Sequence, residues 1–301
     1  MPFRSPESAR AAIRQLTPVP AHDIAELGRG DASVAYLVDG EWVFRFPAVA
    51  SAQATLRREL ALLPALQGAL PLAVPAVEHV GRCDEQLVFA AYRTVPGDPL
   101  TAAGFNALPA RAQDAVLAEL AGFLNALHAF PVHTARRAGV AEQQLSGAYH
   151  PAQRDLPGRV RDLMPAADIA RLDDIFARYE QDHRPERVAL ALLHSDLKPA
   201  HVLYDSVTEC VTGVLDWGDV ALGDPDFDLA VIAMFFGDEF LARLLEHLPV
   251  RDPDTVFAKA RFFTTVRWLQ DVLYDVEVEG PHAAEASVAG LHDHLQTAYH
   301  S

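Results

Sequence analysis

Three side chains in the middle of the chain have the types and spacing that a group-transfer reaction needs. Asp196 follows the hydrophobic run 190–193, His201 comes five residues later, and Asp216 ends a second hydrophobic run, 211–215. A carboxylate at the end of a buried strand can receive the proton of a hydroxyl group, and a His/Asp pair can hold a metal ion. Phosphoryl transfer needs both of these, together with positive charge on the phosphates.

A glycine-containing turn precedes a predicted β-hairpin near the start of the chain. Residues 35–38 and 42–46 are predicted strands, and the Asp-Gly pair between them is a strong hairpin signal. The turn before them contains Gly28, Gly30 and Ser33. Backbone N–H groups of such a turn can bind phosphate oxygens. By itself, a Gly-x-Gly pattern more often marks only a turn.

A cation and an acidic residue follow the hairpin at a spacing that suits phosphate binding. Arg45 ends the second predicted strand, and Glu59 lies in the helix-like segment 51–66. A strand cation paired with an acidic residue of the next helix orients nucleotide phosphates in kinases. Taken alone, however, charged residues on such a helix are more often solvated on the surface.

The pattern changes from strands and turns to helices at about Val95, which predicts two lobes. Residues 86–92 read as a buried strand, and a loop containing Arg93 follows. We predict an α+β fold with a small, β-rich N-terminal lobe over residues 1–95 and a larger, mainly helical C-terminal lobe over residues 96–301. The helical spacing of apolar residues predicts helices over residues 4–16, 51–66, 115–129, 169–179, 229–248, 255–276 and 283–299.

Several polar residues flank the two hydrophobic runs. His194 is predicted to pin the loop that carries the catalytic carboxylate. Asp224 and Asp228 are predicted to brace that loop from below, whereas Asp226 is predicted to cap a helix within a solvated loop.

Composition narrows the classes of partner. The 301 residues carry a formal net charge of −16, which repels nucleic acid and suits a cationic small molecule, although acidic surfaces also simply aid solubility. No apolar run has the roughly 18 residues that span a bilayer, and the start of the chain lacks a secretory signature. The two cysteines, Cys83 and Cys210, have neither metal-type nor redox-type spacing. We therefore expect a cytoplasmic protein without nucleic-acid or membrane partners, and a monomer.

Two segments, HSDLKPAH and GVLDWGDVALGDPDFDLA, resemble the catalytic and metal-binding loops of the aminoglycoside phosphotransferase family, which belongs to the kinase-like superfamily. Upstream, GRGDASVAYLVDGEWVFRFP, LRRELALLPAL, LPLAVPAV, VPGDPLT and FLNALH follow the order seen in that family. The order and the residues of these segments are most similar to those of the aminoglycoside 2″-phosphotransferases, with the macrolide 2′-phosphotransferases next.

The resemblance implies a protein-kinase-like two-lobed fold and assigns roles to residues. Asp196 would be the catalytic base, and His201 and Asp216 would hold Mg²⁺. ATP or GTP would donate the phosphoryl group. Arg45 stands where the 2″ enzymes usually have lysine, and arginine there is compatible with the macrolide enzymes. The residues implied to bind the nucleotide are Gly28, Gly30, Ser33, Arg45, Glu59, Arg93 and Val95.

The implied activity is transfer of the terminal phosphoryl group of a nucleoside triphosphate to a hydroxyl of a cationic antibiotic, an aminoglycoside. Asp219, Asp238 and Glu239 would receive the ammonium groups of this acceptor, and Trp268 could line its site. Alternatives are a macrolide phosphotransferase, a choline- or sugar-type kinase, and a non-catalytic kinase-like binding module. A protein kinase is disfavoured because only 85 residues follow Asp216 and no activation segment is present.

Overall fold

The computed structural model describes residues 5–30, 33–49, 52–83, 86–142, 163–183, 188–249, 252–278, 280, 282 and 284–299. The chain divides into two compact units. The first unit contains Met1–Val140 and Pro199–Val220, and the second contains Ala141–Lys198 and Ala221–Ser301. The predicted lobes, residues 1–95 and 96–301, stay a prediction.

The described helices and strands follow one another in groups along the chain. They are, in order, α1 (Pro6–Leu16), β1 (Ile24–Arg29), β2 (Ser33–Val38), β3 (Trp42–Pro47), α2 (Ala52–Leu66), β4 (Val77–Cys83), β5 (Gln86–Arg93), β6 (Asp98–Pro99), α3 (Ala102–Ala107), α4 (Ala110–His128), α5 (Val132–Arg137), α6 (Ala166–His183), β7 (Ala191–Leu193), β8 (Val202–Asp205), β9 (Cys210–Val214), β10 (Ala221–Gly223), α7 (Asp226–Phe236), α8 (Asp238–Leu245), α9 (Pro253–Val278) and α10 (Ala284–Ala298).

The first unit is built on an antiparallel sheet whose five described strands follow the order β1-β2-β3-β5-β4. Asp39 and Gly40 turn the chain between β2 and β3 with φ angles of 52° and 70°. Both central residues of a type I′ hairpin need positive φ, which aspartate and glycine tolerate. The predicted hairpin is therefore confirmed.

Side-chain alternation along β3 positions the first functional residue. Phe44 and Phe46 are almost fully buried and contact Phe89 edge to face or tilted, with ring centroids 5.1 and 5.3 Å away. Because successive side chains of a strand point to opposite faces, Arg45 leaves the sheet on the other face. That face carries α2 and Glu59.

A second, smaller sheet in the first unit positions the two predicted metal ligands, His201 and Asp216. β8 lies between β6 and β9 in an antiparallel arrangement, and a 3-10 turn, Pro199–His201, leads into β8. A second 3-10 turn, Trp217–Asp219, follows β9, and the fully buried Trp217 packs edge to face against Phe123 of α4. His201 therefore lies immediately before β8, and Asp216 lies two residues after β9.

The second unit is mainly helical. β7 pairs antiparallel with β10, and α9 packs against both α7 and α10. The single helix predicted over residues 229–248 is wrong, because Gly237 separates α7 from α8 with a φ of 92° that no α-helix contains. Among the described residues, no helix combines the length and the apolar character needed to cross a membrane.

Candidate active site

Arg45 joins two carboxylates within the first unit. Its Nη1 donates to Glu59 Oε2 at 2.7 Å, and its Nη2 donates to Asp216 Oδ1 at 3.2 Å. Burial by itself lowers the pKa of Arg45, but Glu59 and Asp216 outweigh it, so the pKa rises and the guanidinium stays charged. The predicted pair of Arg45 and Glu59 is present, while its contact with nucleotide phosphates stays a prediction.

Glu59 lies almost completely out of solvent, with 4% of its surface exposed. Burial raises the pKa of Glu59, and the cations of Arg45 and Arg58 oppose this rise. Arg58 also donates to the backbone oxygen of Gly218, which ties α2 to the turn after Asp216. No local sequence pattern indicates this contact, because the two residues are 160 positions apart.

Asp216 and His201 lie side by side at the ends of the small sheet. Asp216 Oδ2 is 3.5 Å from His201 Nε2, and the backbone N–H of Leu215 donates to the oxygen of His201 at 2.8 Å. Asp216 has a left-handed conformation, φ 60° and ψ 74°, which turns its half-exposed side chain away from the β9 direction. The two predicted metal ligands are thus neighbours.

Asp216 supplies the oxygen ligand that Mg²⁺ prefers, and the imidazole nitrogen of His201 is the second, softer candidate ligand. This ion usually keeps several waters and uses one or two protein ligands with substrate phosphates, rather than a complete protein cage. Among the described residues, no group of three or more His, Cys, Asp or Glu side chains could hold a metal ion.

The serine of the glycine turn reaches the same region. Ser33, Arg45, Thr55 and Glu59 line one small pocket of the first unit. The backbone N–H of Gly30 donates to the oxygen of Ser33 at 3.0 Å and closes the turn. A Cβ on Gly28 or on Gly30 would meet no atom within 4 Å, so packing does not require glycine at either position.

Two of the residues predicted to bind the nucleotide, Arg93 and Val95, lie at the last position of β5 and two residues beyond it. Arg93 Nη1 is 2.5 Å from Glu41 Oε2, and its guanidinium lies 3.9 Å above the Trp42 ring, a cation–π contact at the surface. Val95 packs closely against Gly213, where an added Cβ would approach Val95 Cγ1 to 2.7 Å. Their contacts with the nucleotide stay predictions.

In the second unit, Asp228 anchors the loop that carries Asp196. This fully buried carboxylate accepts the backbone N–H groups of Ser195 at 2.8 Å and of His194 at 3.2 Å. The ring nitrogen Nδ1 of His194 in turn accepts the N–H of Asp196 at 3.3 Å. The predictions that Asp228 braces this loop and that His194 pins it are confirmed.

Lys198 pairs directly with the candidate catalytic carboxylate. Its Nζ lies 2.7 Å from Asp196 Oδ2, and the side chain of Asp196 is 18% exposed. The short bond orients one carboxylate oxygen of Asp196. Sequence reasoning assigned Lys198 no role, although a signal existed, since it is one of only two lysines in a chain otherwise rich in arginine.

Comparison with known proteins identifies the family. The pattern of the phosphotransferase enzyme family matches residues 23–263. The chain belongs to this family. It is 28% identical over 186 residues to the aminoglycoside 3′-phosphotransferase of Streptomyces fradiae; the match covers 58% of this chain and 66%, just under two thirds, of that enzyme.

Solved structures resemble this phosphotransferase over nearly its whole length. The GDP and kanamycin complex of APH(2″)-IIIa is 30% identical, with a TM-score of 0.88 and coverage of 94% of this chain and 97% of that one. The GDP complex of wild-type aminoglycoside 2′-phosphotransferase-IIIa is 28% identical, with a TM-score of 0.91 and coverage of 98% and 100%. These findings confirm the predicted family and the kinase-like α+β fold.

Behind Asp228, a buried lysine of the phosphotransferase holds two further aspartates. Lys259 Nζ lies 2.7 Å from Asp224 Oδ2 and 2.8 Å from Asp226 Oδ2. Burial lowers the pKa of Lys259, but the two carboxylates outweigh it and the pKa is raised. The prediction that Asp226 belongs to a solvated loop is wrong, because only 7% of it is exposed and Lys259 of α9 neutralises it.

A narrow groove of the phosphotransferase's second unit adjoins Asp196. It measures about 40 Å³, and Phe235, which is 42% exposed, lies on its wall. Apolar side chains dominate the lining, with polar groups at only four positions. The described lining residues are Ser195, Asp196, Phe227, Ala230, Val231, Met234, Phe235, Phe263, Val266, Arg267 and Gln270.

The predicted acceptor-binding residues lie elsewhere in their units. Asp238 and Glu239 are exposed in the first turn of α8. Trp268 packs on Gly290, where an added Cβ would be 2.4 Å from the indole ring. None of these three is among the described residues that line the groove. Asp219 is exposed at the end of the second 3-10 turn of the first unit. Their roles in acceptor binding stay predictions.

Proposed function

We propose that this protein transfers the terminal phosphoryl group of ATP or GTP to a hydroxyl group of an aminoglycoside. The observation that carries the proposal is the arrangement of Arg45, which binds Glu59 and also Asp216, the neighbour of His201. The likeness over nearly the whole chain to an enzyme solved with GDP and kanamycin supports the choice of nucleotide and acceptor.

The first unit supplies charge for the nucleotide. The guanidinium of Arg45 is held between two carboxylates. Its side chain therefore loses little conformational entropy when phosphate oxygens bind to it. Its planar fork can donate to two oxygens at once, which lysine cannot do. Asp216 and His201 would hold Mg²⁺ together with phosphate oxygens, and the ion would neutralise the charge that develops on them.

Asp196 supplies the acceptor chemistry. Its carboxylate accepts the proton of the acceptor hydroxyl while that oxygen forms a bond to the terminal phosphorus. The bond from this phosphorus to the bridging oxygen breaks, and the nucleoside diphosphate leaves. Lys198 at 2.7 Å and the backbone bonds to Asp228 keep the carboxylate in position during the transfer.

A macrolide is the second candidate acceptor, and the groove beside Asp196 favours it. The wall formed by Phe227, Val231, Met234 and Phe235 is apolar. Arg267, the cation among the described lining residues, repels ammonium groups. Arg267 is partly neutralised by Asp271 at 3.2 Å. An apolar wall suits the scaffold of a macrolide better than a polyamine.

The net charge of −16 and the free cysteines support the remaining parts of the proposal. On this basis the protein is a cytoplasmic enzyme whose partners are the nucleotide and the acceptor rather than nucleic acid. A monomer is part of the same proposal, and size-exclusion chromatography with light scattering tests it.

A nucleotide-consumption assay tests the function. ATP and GTP are each supplied with Mg²⁺ and with kanamycin, a macrolide, choline or no acceptor. We expect kanamycin to stimulate consumption, and Asp196→Asn to lower kcat by roughly 10²- to 10⁴-fold without changing the melting temperature. If only the macrolide stimulates nucleotide consumption, the acceptor is a macrolide and not an aminoglycoside. A lack of stimulation by every acceptor, or an unimpaired Asp196→Asn variant, would contradict the proposal.

A further inference from the structure

A second cavity lies in the second unit and shares no lining residue with the groove beside Asp196. It measures about 360 Å³, within the range of small-molecule sites. Three arginines, Arg171, Arg178 and Arg261, line it. In a chain with a net charge of −16, three guanidinium groups around one cavity mark it as a place for an anion.

The carboxylates in this cavity leave an excess of positive charge. Asp174 pairs with Arg178, with Oδ2 2.9 Å from Nε, and Asp182 also lines the wall. Arg171 donates one N–H group to the backbone oxygen of Leu295 at 3.0 Å. Neither Arg171 nor Arg261 forms an ion pair with any carboxylate among the described residues, so three cations face two anions.

Helix geometry explains how the arginines come together. Arg171 and Arg178 are seven residues apart on α6, about two turns, and therefore lie on one face. Arg261 belongs to α9, which packs against α6. Between the two helices, the rings of Tyr179 and Phe262 stack with centroids 3.6 Å apart and an interplanar angle of 7°. This stack gives the cavity a fixed aromatic floor.

We propose that the arginine cavity is a binding site for a phosphate-type oxyanion, either inorganic phosphate or a phosphomonoester. Guanidinium groups match the geometry of phosphate because their planar donors bind two oxygens at once. The donors come from two helices whose spacing the stacked rings hold. This site is separate from the residues assigned to the nucleotide, so it adds a ligand that phosphoryl transfer does not require.

Isothermal titration calorimetry with inorganic phosphate tests the site. The nucleotide site is first filled with a non-hydrolysable ATP analogue and Mg²⁺, and ionic strength is kept constant with sodium chloride. We expect saturable binding of one phosphate per chain. Arg178→Glu and Arg261→Glu should each weaken it by at least about tenfold, since each replaces an attractive charge with a repulsive one. Arg261→Gln, which only removes the charge, should weaken it less.

Arg111→Glu is the matched control, because it makes the same charge change at an exposed position of α4 that does not line the cavity. It should bind phosphate like the wild type. Melting temperatures verify that each variant folds. Titration with phenyl phosphate distinguishes the sources: tighter binding than that of phosphate assigns the site to a phosphomonoester, and weaker binding assigns it to the free ion. Absence of saturable binding, or equal affinity in the wild type and both charge-reversal variants, would overturn the proposal.

Discussion

The backbone N–H of Ser195 donates to the buried carboxylate of Asp228 at 2.8 Å, so the loop carrying Asp196 is held by a residue 33 positions later. Ser195 has a φ of 68°, in the left-handed region that non-glycine residues rarely adopt. Such a conformation costs on the order of 1–3 kcal/mol and persists only where surrounding contacts maintain it. Asp228 supplies that contact, and it thereby fixes the direction of Asp196.

We predict that Asp228→Asn lowers kcat much more than it raises the KM for the nucleotide. An amide offers one acceptor oxygen, so one of the N–H groups of His194 and Ser195 would face an amide nitrogen. Leaving a buried donor unpaired costs roughly 1–3 kcal/mol. The free energy of unfolding, measured by urea denaturation, should decrease by this amount. Displacing Asp196 by about 1 Å would lower kcat by roughly 10²-fold.

Asp205→Asn is the control for this change. Asp205 also accepts a backbone N–H, that of Val207 at 2.8 Å, but it does so in the exposed turn between β8 and β9. The kcat of the Asp205→Asn variant should equal that of the wild type. A destabilised Asp228→Asn variant with an unchanged kcat would mean that Asp228 stabilises the fold without positioning Asp196.

Arg45→Lys tests whether the bridge from Arg45 to Asp216 prepares the phosphate site. Lysine is a point charge that can pair with Glu59 but cannot also occupy the second position, 3.2 Å from Asp216 Oδ1. We expect the KM for the nucleotide to rise by roughly three- to tenfold, equivalent to about 1 kcal/mol. The KM for the acceptor should stay within about twofold.

Arg14→Lys is the control variant. The guanidinium of Arg14 donates hydrogen bonds to the backbone oxygens of Pro20 and Ala21 in the first unit. The Arg14→Lys variant should leave both KM values unchanged. If Arg45→Lys also leaves the KM for the nucleotide unchanged, Arg45 does not contact the phosphates.

Local sequence patterns were sufficient for the elements that carry the site. The Asp39-Gly40 pair predicts the hairpin because few residues tolerate the positive φ angles of its turn. The alternation of Phe44, Arg45 and Phe46 then fixes which face of the sheet bears the cation. These features depend on neighbours in sequence, and the structure agrees with them within a few residues.

Long-range contacts were not predictable in the same way. Nothing near Asp226 indicates that Lys259, 33 residues later, would enter the protein interior to meet it. Gly237 interrupts a segment whose apolar pattern continues, and glycine inside a helix costs only about 1 kcal/mol, so the pattern hid the break. The pairing of Lys198 with Asp196 likewise depends on the loop conformation that Asp228 maintains.

His201→Ala tests the proposed metal site. Removing the imidazole 3.5 Å from Asp216 Oδ2 leaves a single protein ligand. The Mg²⁺ concentration that gives half-maximal activity should rise by at least about tenfold, a loss of about 1.4 kcal/mol in binding. His133→Ala changes an exposed histidine of α5 in the same unit and should leave the Mg²⁺ dependence unaltered. Equal Mg²⁺ dependence of His201→Ala and the wild type would show that His201 is not a ligand.

His294 should make stability depend on pH in the second unit. Burial lowers the pKa of His294 below its ordinary value of 6.5, although the backbone of Arg261 opposes this, and Nε2 lies 2.9 Å from Thr265 Oγ1. As pH falls through 6.5, the unfolded chain binds a proton that the folded chain still excludes. The free energy of unfolding therefore decreases until the pH reaches the pKa of the folded state, and is not lowered further below it.

The His294→Gln variant removes this titration while keeping a polar side chain near Thr265. The melting temperature of the wild type should fall more between pH 7.5 and pH 5.5 than that of His294→Gln. His22→Gln replaces an exposed histidine of the first unit. Its melting temperature should fall as much over this pH range as that of the wild type. Other titrating groups are common to all three proteins, so they cancel in the comparison. Equal losses in the wild type and His294→Gln would mean that His294 takes up its proton equally in the folded and unfolded chains.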